Sequence, residues 1–262
     1  MDKHSSIIVE NVSFENEGYK LLGRIYRPNV TGKFPAVVLC HGYPGDAKNM
    51  DLAEELAFNN IVSFVFYYRG AWGSEGAYSL RALDPSARDA IEFLRSRPFV
   101  DSGRVGVIGH SMGAVPASKR LSADPKLKTG VFMAPAAGFA ARVSKEHVDQ
   151  YVERLMSMGE GKLNALSEDV LRSDLLWLAE NLDPKDVIRS VKVPLLFIVG
   201  SNDTATTPEA CRLLYENANQ PKHFILIDGA DHIFSEHKVP LINSIVNWMR
   251  EHLKKLEHSF LG

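Results

Sequence analysis

Ser111 stands in Gly109-His110-Ser111-Met112-Gly113, and the residues on either side give that pentapeptide its weight. Before it, Arg104-Val105-Gly106-Val107-Ile108 is a short β-branched run with the pattern of a buried strand. After it, Ala114 to Leu121 suits a helix, with Pro116 tolerable in a first turn. A G-x-S-x-G on a strand-to-helix turn lifts a serine hydroxyl above a sheet edge, and small flanking residues let neighbouring elements pass close. The free N–H groups of the new helix aim at the same spot. A chain of this length meets the pentapeptide by chance about one time in ten, so its strand–turn–helix setting carries the reading.

A serine hydroxyl is a poor nucleophile at neutral pH and needs a base, with a third group to orient that base. Two later strand-like runs end in the required residue types. Leu195-Leu196-Phe197-Ile198-Val199 leads into Gly200-Ser201-Asn202-Asp203, and Phe224-Ile225-Leu226-Ile227 leads into Asp228-Gly229-Ala230-Asp231-His232. Asp203 is assigned as the orienting acid and His232 as the general base. Asp228, near the second strand's end, is the rival acid. Asp231 adjoins His232 and is badly placed to reach its Nδ1, so it is read as shaping the loop. His110 is expected to point away from Ser111, in a structural role. The histidines at 4, 147, 223, 237, 252 and 258 lie in terminal, helical or strand contexts and read as solvated or packed.

An attacking serine leaves a tetrahedral oxyanion that needs two donors. The backbone N–H of Met112, directly after the nucleophile, is the first. The second is expected from His41-Gly42-Tyr43-Pro44-Gly45, where Gly42 lets the backbone turn inward and Tyr43 offers its N–H. Pro44 has none to give. His41 is read as a brace of this loop and Cys40 as a packed thiol. Aromatic and apolar candidates for a substrate pocket are Tyr43, Trp72, Met112, Phe139, Tyr151, Trp177 and Phe234, with Tyr43, Trp72, Met112 and Phe234 taken as the substrate-binding set.

These residues need a scaffold that brings strand ends together. Ile7–Phe14 and Leu21–Tyr26 read as antiparallel opening strands, and Phe34–Cys40 and Ile61–Tyr67 as strands separated by a helix over Met50–Asn59. A helix over Pro85–Arg97 leads to the strand before Ser111. Further strands follow at Leu127–Met133, Pro194–Val199 and His223–Ile227, and an amphipathic helix closes the chain from Ile233. The alternation predicts an α/β fold, a doubly wound, mostly parallel eight-stranded sheet in one domain over residues 1–262. Ligands in such sheets bind outside the carboxyl ends of the strands, where every candidate lies. Residues from about 136 to 189 break the pattern with helical stretches and no strand, and are read as a small helical insertion over the strand ends.

Composition narrows the setting. Hydrophobic residues at 45% and charged residues at 24% are ordinary for a globular protein. A net charge of −2 gives no footprint for nucleic acid or an anionic membrane. The polar start, Met1-Asp2-Lys3-His4-Ser5-Ser6, is no secretory signal, no apolar run approaches membrane-spanning length, and Cys40 and Cys211 suit a reducing compartment. A cytoplasmic location is expected. No Cys/His pair has zinc spacing and no Gly-rich phosphate cradle occurs, so neither a metal nor a cofactor is expected. Whether the chain acts alone or as a homodimer is left open.

Taken together, His41-Gly42, the Ser111 pentapeptide, Asp203 in Gly-Ser-Asn-Asp and His232 in Gly-Ala-Asp-His resemble the α/β-hydrolase superfamily, more narrowly its serine-esterase and prolyl-oligopeptidase-like members, including cinnamoyl and feruloyl esterases. Tyr68-Arg69-Gly70-Ala71-Trp72-Gly73-Ser74-Glu75-Gly76 is similar to the Arg-Gly loop of those enzymes. Tyr67 departs from the aspartate many relatives carry there, which is expected to loosen that loop. The resemblance implies a serine hydrolase acting on small-molecule carboxylic esters, short-acyl or aryl, through an acyl-enzyme, with the helical insertion as its lid. A peptidase or amidase of the prolyl-oligopeptidase type ranks second, although this sequence has no room for that family's β-propeller. A ligand-binding protein on a hydrolase fold ranks third. The serine argues against the dehalogenase branch, which uses aspartate, and the dienelactone-hydrolase branch, which uses cysteine.

Overall fold

Runs such as Ala36-Val37-Val38-Leu39 and Leu195 to Val199 are apolar at consecutive positions, so both of their faces need cover, which places them in the middle of a parallel sheet. The computed structural model, which describes residues 6–46, 48–143 and 147–254, has this arrangement. Its strands are β1 (Ile7–Asn16), β2 (Tyr19–Pro28), β3 (Phe34–Cys40), β4 (Val62–Phe66), β5 (Val100–His110), β6 (Leu127–Met133), β7 (Leu195–Gly200) and β8 (Lys222–Ile227). They form one eight-stranded sheet in the order β1-β2-β4-β3-β5-β6-β7-β8. β2 pairs antiparallel with β1 and β4, and the remaining pairs are parallel.

Period-two alternation divides the core between the sheet's faces. Ala36, Val38 and Cys40 point into a cluster with α2 (Leu83–Arg95), α3 (Ala114–Ala123) and α8 (Pro208–Asn217). Val37 and Leu39 point the other way, toward α1 (Met50–Phe58) and α9 (Lys238–His252). Helix α8 is absent from the sequence reading. Its signals are Thr207, whose hydroxyl accepts from the Ala210 N–H, and Pro208 in the first turn. β5 also begins at Val100, ahead of the expected Arg104, because Val100 pairs with Phe34 across an irregularity in the ladder.

Between β6 and β7 the described chain is helical: α4 (Phe139–Arg142), α5 (Val148–Gly159), α6 (Glu168–Asn181) and α7 (Pro184–Val187). The stretch that the sequence sets apart is not uniform. α7 packs on α3 and α8 in the body of the molecule, whereas α5 and α6 pack on each other. Two buried carboxylates fix the seams. Asp183 caps α7 and also accepts from the Gly138 and Phe139 N–H groups, at 2.9 and 2.6 Å. Asp174 of α6 accepts from the Ser79 hydroxyl at 2.6 Å, the Leu80 N–H at 2.8 Å and the Arg81 guanidinium at 2.9 Å. Among the described residues no helix is long and apolar enough to cross a membrane.

A buried acceptor that serves three donors costs more to remove than to replace by another acceptor. Asp174→Ala is therefore expected to lower unfolding stability by about 2–4 kcal/mol, and Asp174→Asn by less, because one amide oxygen still accepts. Urea unfolding curves of the two variants check this; equal losses would place the effect in packing and not in these bonds.

Candidate active site

Ser111 ends β5 with φ 52°, in the left-handed region that side chains disfavour. Its neighbours allow no relaxation by bulk. A Cβ on Gly113 would lie 2.0 Å from the Cys40 carbonyl oxygen, and one on Gly109 would lie 2.7 Å from the Gly113 oxygen and 2.8 Å from Ala117 Cβ. The turn is thus pressed against β3 on one side and the first turns of α3 on the other. Gly42, in the loop after β3, comes equally close, since a Cβ there would meet Ser111 Cβ at 2.9 Å. That contact brings the Tyr43 backbone beside the serine.

His232 follows β8, and its Nε2 lies 3.0 Å from Ser111 Oγ. Its Nδ1 lies 2.8 Å from Asp203 Oδ2, at the end of β7. An ionised carboxylate only accepts, so Nδ1 carries the proton and Nε2 is left to accept from the serine hydroxyl. Burial alone would raise the Asp203 carboxyl. The His232 hydrogen bond and those from the Thr206 N–H and hydroxyl outweigh it and hold the group below the usual carboxylate value. Thr206 Oγ1 also lies 2.9 Å from the Ala134 carbonyl, which ties the acid's loop to the end of β6. The rival acid is elsewhere: Asp228 pairs with the Ser201 hydroxyl at 3.1 Å on the surface. Asp231 accepts from the N–H and hydroxyl of Ser235, closing its own loop.

Two neutral histidines brace the site. His41 Nδ1 donates to the Gly42 carbonyl at 2.7 Å, and burial lowers its pKa to about 4. His110 points away from Ser111. Its Nε2 donates to the His232 carbonyl at 3.1 Å, its Nδ1 faces the Asn49 amide at 3.3 Å, and burial first, then His232, lowers its pKa to about 4. Cys40 is a packed thiol, pushed up to about 12 by burial. The loop that Tyr67 was expected to loosen is held through Ser74, whose hydroxyl donates to the Tyr67 carbonyl and accepts from the Leu22 N–H.

Ser111 and His232 open into a cleft of about 260 Å³. Tyr43 and Met112 line it, together with Tyr151. Trp72 and Phe234 do not, which corrects the sequence reading. The Trp72 indole turns toward the loop after β3 and donates to the Pro44 carbonyl at 2.8 Å, and Phe234 is wholly buried behind His110. Phe139 is likewise buried, and Trp177 lies under the Arg81 guanidinium. Residues missed from the sequence are Thr206 and the α5 side chains Arg154, Leu155 and Met158. With Tyr151 these last have the spacing of one helix face, but which face meets Ser111 is decided by packing. Among the described residues no group of three or more His, Cys, Asp or Glu side chains is placed to hold a metal ion.

A parallel sheet of this order, with a serine on a strained turn after β5 and an acid and a histidine after β7 and β8, defines a hydrolase of the α/β class. The chain belongs to the alpha/beta hydrolase family, whose model matches residues 37–241. It is 27% identical over 224 residues to an uncharacterized protein of Mycobacterium tuberculosis, covering 85% of this chain and 72% of that one. It is 28% identical over 238 residues to esterase EstD of Thermotoga maritima, covering 76% of this chain and 54% of that one. Among solved structures, Est1E from Butyrivibrio proteoclasticus with ferulic acid bound superposes with TM-score 0.74 at 17% identity, over 93% of this chain and all of that one. The esterase domain of a Rhodothermus marinus protein gives 0.72 at 19%, over 94% of this chain and all of that one. Both likenesses are of fold.

The two bracing histidines make stability depend on pH with a definite sign. Each binds its proton near pH 6.5 when unfolded but only near 4 when folded, so their contribution is complete above about 6.5. As pH falls from there toward about 4 it is lost, at about 1.4 kcal/mol per pH unit for each. Urea midpoints are expected to fall between pH 7 and pH 5. The doubly substituted His41→Asn, His110→Gln protein, which keeps a donor at each bonded position, is expected to show a flatter profile. Parallel profiles for the two proteins would refute this account.

Proposed function

We propose that the protein is a serine hydrolase that cleaves carboxylic esters through an acyl-enzyme. The observation that carries this reading is the continuous path Asp203–His232–Ser111, with both contacts at hydrogen-bond length and the serine fixed at positive φ. His232 Nε2 takes the hydroxyl proton as Ser111 Oγ attacks the ester carbonyl, and Asp203 stabilises the imidazolium. The N–H groups of Met112 and Tyr43 receive the oxyanion. As the tetrahedral adduct collapses, His232 gives its proton to the departing alkoxide oxygen. Water then enters, loses a proton to the same nitrogen and releases the acid.

The narrow, largely apolar cleft supports short-acyl or aryl esters, cinnamoyl esters among them. The esterase relative EstD and the ferulic acid held by Est1E point the same way. We read the whole chain as one hydrolase domain in which α5 and α6 act as a lid. The two buried free thiols support a reducing, cytoplasmic setting.

Ser111→Ala and His232→Ala are each expected to reduce kcat on p-nitrophenyl acetate by about 10⁴-fold or more, with unchanged urea unfolding. Asp203→Asn is expected to cost a similar factor through the wrong imidazole tautomer. An organophosphonate should label the wild type at Ser111 and leave Ser111→Ala unlabelled. Undiminished turnover in the serine and histidine variants, in protein free of contaminating esterase, would remove the mechanism.

A further inference from the structure

The α5 face that looks into the cleft carries a single charged residue. Tyr151, Leu155 and Met158 line it with their rings and chains, and Arg154 stands among them. Arg154 is exposed and makes no ion pair or hydrogen bond among the described residues. The other charged side chain at that rim, Asp46, is already paired with Lys162 at 2.8 Å. On the same loop Lys48 sits 3.2 Å over the Trp72 ring, so the Asp46 carboxylate is outnumbered locally by cations and is no competitor for Arg154. The protein as a whole is net negative, which makes this a local arrangement. A planar guanidinium at the edge of an apolar cleft offers paired donors to a carboxylate.

We propose that Arg154 selects esters that carry a second, ionised carboxyl group, held at the α5 rim while the ester carbonyl lies at Ser111. This rests on the ester-hydrolase reading above and names its substrate class. Tyr151, Leu155 and Met158 share the cleft with Ser111 and Arg154 and offer a short hydrocarbon or aryl spacer a surface to lie on. Hydrolysis then consumes one water and yields a free alcohol with a dicarboxylic acid, or a carboxylic acid with a hydroxy acid, depending on which side bears the charge.

Matched pairs separate charge from shape. On the acyl side, monomethyl adipate is compared with dimethyl adipate; on the alcohol side, 4-acetoxybenzoate is compared with its methyl ester. Acid release is titrated at constant pH, and each rate is divided by that ester's own hydroxide rate. In at least one pair the anionic member is expected to have a kcat/KM about tenfold higher, a ratio that shrinks at about 0.5 M NaCl. Arg154→Met should bring the ratio to about one or below, and Arg154→Lys should retain part of it. Turnover without anionic preference in both pairs, or a preference that survives in Arg154→Met, overturns the inference and leaves ester hydrolysis standing. If no ester is turned over, the ester reading itself fails. Calorimetry with adipate and terephthalate then decides the site: binding that Arg154→Met abolishes supports it, and no binding to the wild type sinks it.

Discussion

The left-handed backbone at Ser111 is the constraint on which the rest of the site is built. A non-glycine residue in that region costs roughly 1–3 kcal/mol and persists only where its surroundings leave no alternative. Here they leave none. Gly113 has no room for a side chain against the Cys40 carbonyl, Gly109 none against α3, and Ala136 donates to the Ser111 carbonyl at 2.9 Å. The same close approach that strains the serine brings the loop after β3 into contact with it through Gly42. Ser111 and the loop after β3 are therefore placed by one packing event. A methyl group added at any of these glycines would separate them.

His232 is positioned by a second set of contacts. His110 holds the His232 carbonyl from below, Asp203 holds its ring nitrogen from the side, and Thr206 locks Asp203 to the end of β6. A single charge-assisted hydrogen bond is worth only about 1.5–3 kcal/mol, so no one contact orients the imidazole alone. Redundancy does, and each supporting group is neutral or fully accepted by donors. That is why a carboxylate and two imidazoles can be buried at one sheet edge without an unpaired charge. The cost is sensitivity to acid, since protonating either bracing histidine places a cation in a buried position whose desolvation outweighs its favourable contacts.

How much of this was legible in the sequence follows from what each feature depends on. The sheet was readable because central strands are covered on both faces and show as continuous apolar runs such as Val37-Val38-Leu39. Ser111, Asp203 and His232 were readable because a strand end is a place the topology itself defines. Asp203 and Asp228 looked alike since each follows a strand; they part in the folded chain, where Asp203 reaches His232 Nδ1 and Asp228 pairs with the Ser201 hydroxyl. Trp72 and Phe234 misled because proximity in sequence does not fix direction. Phe234 leaves the cleft through its own positive φ of 55°, which turns the ring under α9. Helix α5 carries the cleft's Arg154, and no spacing rule says which way a helix between two strands will lie.

The position of α5 is in turn set by bonds of unequal weight. Lys162, just past its C-terminal end, and Asp46 join it to the loop after β3, but an exposed pair contributes at most about 1 kcal/mol. The Tyr43 hydroxyl donates to the Leu155 carbonyl at 2.5 Å, and backbone bonds run from Tyr78 to the Asn164 carbonyl and from Asn164 to the Gly70 carbonyl. Asp174 adds three more from a buried acceptor. The heavier ties thus run to the loops after β3 and β4, not to the strand end that bears Ser111. Any displacement of α5 must pull on Tyr43 before it reaches the serine. The helix that lines the cleft and the loop that faces Ser111 are thus joined directly through Tyr43 and Leu155, so neither can shift without straining that bond.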